Sequence, residues 1–202
     1  MAHTYATDSD ERKQIPFFLA AVAIGLTFAV TRFFHARHIE LPWWSPPIDT
    51  MAFYGMLYAL FDRFIWKFRP LRSIGLVRVP NLSGTWRGDV RPSSTTGTSA
   101  GLGAPTTITL TIYQSWRELM VKAQTGQSKS HSLSGAIVVA DEPSLTYEFL
   151  NEPGAPAAPT MHTHRGVARL TLSQDGTELD GEYYSGRDRQ NFGKMRVTRS
   201  AS

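Results

Sequence analysis

"TTITLTIYQ" occupies residues 106–114. It alternates along its length: Ile108, Leu110 and Ile112 fall on one face, and Thr107, Thr109, Thr111 and Tyr113 on the other. A period of two marks a strand with one buried face. The alternation returns in "HRGVARLTLS" at 164–173, where Ala168, Leu170 and Leu172 share a face. Turn signals bound these segments: TGQ at 125–127, DEP at 141–143, NEPGAPAAP at 151–159, QDG at 174–176 and GRDRQNFG at 186–193. The pattern predicts eight strands, at 83–90, 106–114, 118–124, 130–140, 145–151, 164–173, 179–184 and 193–199. Eight short antiparallel strands with one apolar face remove their edges by closing into a small barrel. A two-sheet sandwich is the alternative. The Ser/Thr/Gly-rich stretch PSSTTGTSAGLGAP at 92–105 reads as a long loop, either irregular surface or a lid.

Outward from this all-β region, toward the N-terminus, the pattern changes. Residues 15–34, IPFFLAAVAIGLTFAVTRFF, carry one charge, Arg32. Twenty helical residues rise ~30 Å, the hydrocarbon thickness of a bilayer. A cleaved signal peptide is the rival reading, but the preceding residues mix acids with bases and bulky Phe33, Phe34 and His35 follow. A second apolar stretch, 48–68, is uncharged only from Thr50 to Phe61. It spans if Arg63 and Lys67 snorkel to the surface. Asp62 then sits at the interface or makes a polar contact between subunits. The short link 35–47 makes the two helices a hairpin, with Trp43 and Trp44 as interfacial anchors and Pro46 and Pro47 opening the second helix.

The expected organisation is an N-terminal tail at 1–14, transmembrane helices at 15–34 and 48–68 joined by the loop 35–47, a basic linker at 69–79, and the β-domain at 80–202. Arg63, Lys67, Arg69, Arg72 and Arg78 outnumber the loop's Arg32 and Arg37, which places both termini and the barrel in the cytoplasm.

The 202 residues carry 21 Lys and Arg against 17 Asp and Glu, a net charge of +4 that permits an anionic partner without demanding one. There is no cysteine, so neither disulfides nor thiol chemistry are available. No Gly-rich phosphate loop, paired carboxylates or nucleophile elbow is present, which argues against an enzyme. His162 and His164 lie on one face of an extended chain, but a metal site needs a third ligand, and neither His131 nor Glu148 is singled out. Binding residues are better supplied. Tyr147, Arg165, Arg169, Tyr183, Tyr184, Arg187, Arg189 and Arg196 crowd the second half. Arg forks match phosphate oxygens, and Tyr and Trp faces stack on bases. Taken singly, each fits a solvated strand face better than a ligand contact. Trp86, in "GTWRG", reads either as a base-stacking face or as a plug for one end of the barrel.

Two apolar helices precede "PNLSGTWRG" (80–88), "LTYEFLNEP" (145–153), "HRGVARL" (164–170) and "LDGEYYSGR" (179–187). In that order these resemble the SMODS-associating two-transmembrane, β-strand-rich effectors of CBASS, the bacterial cyclic-oligonucleotide anti-phage systems. The resemblance covers nearly the whole chain. It implies a cytoplasmic barrel that senses a cyclic dinucleotide made by a CD-NTase. It also implies homo-oligomerisation on binding, and a helix pair that disrupts the inner membrane and kills the infected cell. Trp86, Tyr147, Asn151, Tyr184 and Arg187 match its recurrent positions. On that basis Arg187, with Arg189 or Arg165, is expected to meet phosphates. Tyr147, Tyr184 or Trp86 stacks a base, and Asn151 reads a base edge. No cofactor, metal or DNA or RNA polymer is implied. A lipocalin-like, membrane-tethered carrier of a small lipophile and a membrane-anchored protein-interaction scaffold are the competing readings.

Overall fold

The computed structural model describes residues 2–94, 101–139, 142–154, 162–186 and 191–200. The chain divides into two compact units, residues 9–78, and residues 1–8 together with 79–202.

The first unit is helical. Its α1 (Glu11–Ala36) has 26 residues, a rise of ~39 Å. It exceeds the expected 15–34 because the charged turn Glu11-Arg12-Lys13 also takes helical form. Among the described residues, α1 is the one helix long and apolar enough to cross a membrane by length and composition. The next helix, α2 (Ser45–Arg63), has 19 residues and holds Asp49, Asp62 and Arg63. Its first turn contains Pro46 and Pro47, whose missing N–H groups would have no helical partner there. The helix expected over 48–68 therefore ends early, at Arg63. Phe64 breaks it at φ −129°, and Ile65–Lys67 form a 3-10 turn. Pro70 bars an α-helix from continuing through this stretch, since its ring would meet the carbonyl four residues back. The turn brings Trp66 to full burial, with the Lys67 ammonium and the Arg72 guanidinium 5.7 and 5.8 Å from its ring centre. A five-residue helix, α3 (Arg69–Ser73), follows in the expected linker.

The hairpin is tied at two levels. Thr27 Oγ1 and Thr50 Oγ1 lie 2.9 Å apart between α1 and α2. At its open end the Arg78 amide donates to Glu11 Oε2 at 2.6 Å. The first turn of α1 and the last residue of the unit thus meet.

The second unit is the barrel. Its strands in chain order are β1 (His3–Thr4), β2 (Ala6–Thr7), β3 (Gly84–Ser94), β4 (Gly101–Leu102), β5 (Thr106–Gln114), β6 (Glu118–Gln124), β7 (Ser128–Val138), β8 (Ser144–Pro153), β9 (His164–Leu172), β10 (Glu178–Ser185) and β11 (Phe192–Arg199). Eight of them run in the order β6-β5-β3-β11-β10-β9-β8-β7, and β7 pairs back to β6. The wall is a closed eight-stranded antiparallel barrel, as the alternation predicted, and not a sandwich. Leu110, Ile112, Leu119, Val121, Leu145, Ala168, Leu170, Leu179 and Val197 point inward as one buried core. The loop expected over 92–105 is partly strand, because β3 runs on to Ser94 and pairs with β4. Residues 95–100 of this stretch lie outside the described residues, and with them the lid reading of 92–105.

One expectation is overturned. Residues 1–14 were read as a tail, yet β1 pairs with β6 and β2 pairs, in parallel, with β7. Tyr5 between them is buried, and its hydroxyl donates to the Trp116 carbonyl at 2.8 Å. β6 and β7 bond directly over only three residue pairs, so their free edges need a partner beyond that point.

The β9–β10 turn supplies a pH-dependent element. Asp175 accepts from the Ser173 and Thr177 hydroxyls at 2.6 and 2.7 Å and from the Thr177 amide at 3.0 Å, beside Gly176 at φ +72°. The Ser173 hydrogen bond first, then those from Thr177, hold its pKa down to about 2. A carboxylate with a depressed pKa stabilises the fold above its ordinary value and loses that effect as pH falls through its folded value. Asp175→Asn is therefore expected to lower the melting temperature at pH 7. The gap to the parent closes between about pH 4 and pH 2. A gap that is constant across that range in a thermal-melt series would refute the assignment.

Candidate functional site at the open end of the barrel

Inward-facing residues on all eight wall strands converge at one end of the barrel on a cavity of about 140 Å³. Apolar groups line its depth (Val90, Ile108, Ala123, Met195), together with Tyr147 and Phe149, neighbours on one face of β8, and Tyr183 of β10. The Tyr147 and Phe149 ring centres are 6.1 Å apart. Above them stand Gln127, Asn151, His164, Ser185 and Asn191. Two glycines make the room. A Cβ on Gly166 would strike the Phe149 ring, and one on Gly193 the Tyr183 ring at 2.6 Å. Burial raises the Tyr147 pKa above the ordinary tyrosine range, so its phenol stays neutral. None of the described lining residues is Lys, Arg, Asp or Glu.

The opposite end is closed. Trp86 is fully buried, its Nε1 donates to the Leu82 carbonyl at 3.0 Å, and the Arg199 guanidinium lies 4.5 Å from its ring centre. Arg199 Nη2 donates to the Asn81 carbonyl at 2.6 Å. The Gln114 amide closes the same end, accepting from Leu82 N at 2.7 Å and donating to Pro80 O at 3.0 Å.

The structure therefore separates the sequence-predicted residues. Tyr147 and Asn151 line the cavity. Trp86 plugs the far end, so the structural reading of "GTWRG" is the one the fold uses. Tyr184 points outward from β10, half exposed, with its hydroxyl on Glu182 at 2.9 Å. That hydrogen bond, and then the carboxylate charge, raise its pKa. Its neighbour Tyr183 takes the inward place. Arg165 also faces outward, 3.8 Å from Glu148, and it lines a second, more open pocket together with Tyr184 and Tyr147, so these three sequence-predicted residues share one surface. Arg187 and Arg189 lie outside the described residues. The cavity is also lined by Phe149, Gln127 and Asn191, which the sequence does not single out, and by Tyr183 and His164, which it offers for ligand binding and for metal. Parity along β10 favours Tyr183 over Tyr184 for the inward place, because Tyr183 shares a face with Leu179 and Gly181.

His164 Nδ1 bonds the His162 carbonyl at 2.9 Å, and no group of three or more His, Asp or Glu capable of holding an ion occurs among the described residues.

The barrel residues 77–199 match the family model described as the Cap15 cyclic dinucleotide receptor domain. Residues 13–67 match that of the Cap15 TM helices. The chain belongs to the Cap15 family. A curated relative, CD-NTase-associated protein 15 of Yersinia aleksiciae, is 29% identical over 155 residues, covering 75% of this chain and 70% of that protein. The resemblance to CBASS effectors drawn from motif order holds. In Cap15 terms the barrel is the cyclic dinucleotide receptor domain and the apolar helical unit is the TM region.

Proposed function

We propose that this chain is a membrane effector whose barrel binds a cyclic dinucleotide at its open end, driving assembly of the helical hairpin and breach of the inner membrane. One observation carries the reading: three aromatic rings beneath a rim of amides enclose a cavity inside a domain matched to cyclic dinucleotide receptors. A cavity of about 150 Å³ holds a single benzene-sized ring. The depth therefore takes one base, stacked among Tyr147, Phe149 and Tyr183, with Asn151 and Asn191 at its edges. The second base and the phosphates stay at the rim. The lining is uncharged among the described residues, so we assign phosphate contact to Arg187 and Arg189, which follow the lining residue Ser185 in the sequence. Ligand shifts assembly only by binding the assembled state more tightly than the single chain.

The same uncharged lining also suits a small lipophile, so the carrier reading stands as the second. Calorimetric titration of the full chain in detergent separates the two. Nanomolar-to-micromolar binding of one cyclic dinucleotide, abolished by no lipid competitor, supports the receptor. Silence across a panel covering all four RNA bases, with heat from a fatty acid, supports the carrier.

For the membrane region, we propose two crossings and termini that share the cytoplasmic side. Two observations support this. The segment before α1 folds into the barrel unit, and Glu11 meets Arg78 at the open end of the hairpin. A chain that leaves and rejoins one soluble domain crosses an even number of times. The absence of native cysteine makes the test clean. A cysteine at His38 is expected to react with an impermeant maleimide added outside inverted-topology controls, and one at Lys129 only after the inner membrane is opened. Labelling of Lys129→Cys in sealed spheroplasts would refute the orientation.

A further inference from the structure

β6 and β7 carry two features at opposite ends. Their connection at the open end lines the cavity through Ala123, Thr125, Gln127, Ser128 and Ser130. Their other ends diverge and grip residues 3–8. There His3 pairs with Leu119, and Ala6 with Ala136. The grip is held by side chains as well. Asp8 Oδ1 accepts from the Val139 amide at 2.8 Å, and Tyr5 is sealed into the core.

Ser132 sits where direct β6–β7 pairing stops. Its Oγ accepts the Val121 amide at 2.9 Å and lies 2.8 Å from His3 Nε2. Val121 N–H thus bonds a side chain where a continued ladder would offer a backbone carbonyl. Extending the register past Lys122 and His131 would set Val121 opposite Ser132. That extension needs the strand edges the N-terminal segment now occupies. Along β6 the two pairings compete at Leu119 and Glu118, which β1 now takes.

We propose that residues His3–Asp8 are the output strap of the receptor. With the strap seated, β6 and β7 stay apart. Ligand at the open end draws their connecting turn together, the β6–β7 ladder extends, and the strap is released. Only Ser9 and Asp10 separate the strap from α1, so release frees the N-terminus of the first membrane helix. Ser132 is the latch between the two states. The proposal rests on the receptor reading above and adds its route to the membrane region. Bistability at one seam is what lets a ligand at one end be felt at the other.

The test uses the full chain in detergent, which lacks native cysteine. Ala6→Cys with Ala136→Cys places thiols at register partners of strap and wall. Thr111→Cys with Lys122→Cys does so between β5 and β6, away from the strap. Disulfide formation is timed by alkylation and mass spectrometry, with and without each cyclic dinucleotide of the four RNA bases. Binding to the reduced protein is scored by calorimetry. A bound dinucleotide is expected to slow the strap pair about fivefold or more and leave the wall pair unchanged. Hydrogen exchange at residues 3–8 of the unsubstituted chain is expected to rise in parallel. Binding heat with an unaltered strap rate and unaltered exchange overturns the strap but not the receptor. Equal slowing of both pairs overturns it as well. No heat from any dinucleotide overturns the receptor reading, and the strap falls with it.

Discussion

Trp86→Ala is expected to lower the stability of the barrel by about 3–5 kcal/mol, the usual cost of truncating a buried tryptophan. Trp86 is fully buried at the closed end. Its loss leaves a void, an unpaired Leu82 carbonyl, and the Arg199 guanidinium over empty space. Burial already lowers the pKa of Arg199, a sign that its charge is poorly hydrated there. Folded domains carry only about 5–15 kcal/mol in total, so a large part of the margin goes. For a barrel of this size the melting temperature drops on the order of 10–20 °C. Near-UV circular dichroism of the detergent-solubilised chain reads it directly, and a shift under about 2 °C would rule out the plug. Trp86→Phe refines the test, because it keeps a ring in the socket. Its affinity for a cyclic dinucleotide is expected to match the parent's. A tenfold loss in that folded variant would return Trp86 to the ligand site, where the motif resemblance had put it.

The second large effect is at the open end. Tyr183→Ala is expected to weaken cyclic dinucleotide binding by about 1–3 kcal/mol, the worth of one base stacked on an aromatic ring. That is roughly 5- to 150-fold in affinity. Tyr184→Ala, one residue along, is expected to change it by less than twofold, within the noise of an exposed surface substitution. The two residues differ only in parity: Tyr183 faces the cavity and Tyr184 faces solvent beside Glu182. Titrations of both variants, with circular dichroism to confirm folding, decide it. If Tyr184→Ala is the more damaging, the ligand sits on the outer wall and the cavity is not the site.

Strand positions were closely legible because each strand carries its own local record of which face is buried. The expected 106–114 and 118–124 match β5 and β6 residue for residue. Where that record thins, prediction fails. β1 and β2 are two residues each, too short to show a period, and they form only because β6 and β7 present open edges. The expected second helix, 48–68, runs five residues past the observed end at Arg63, because hydropathy counts Phe64, Ile65 and Trp66 as span. The backbone instead turns at Phe64. Of the candidate site residues, Tyr147 and Asn151 line the open-end cavity. Arg165 and Tyr184 were chosen for chemistry without regard to parity.

By itself the sequence determined that an apolar helical region precedes a closed barrel, and which residues of each strand face inward. Both follow from local periodicity, which the chain writes into every short segment. Only the tertiary structure decided which end of the barrel is open and that the N-terminus completes the wall. Periodicity fixes the face of a residue but not its depth along the barrel axis. Trp86 and Tyr147 both point inward, yet one plugs the closed end and the other lines the open-end cavity. Depth is set by strand register and by which segments cap each end. Those are contacts between residues far apart in the chain, on which local pattern is silent.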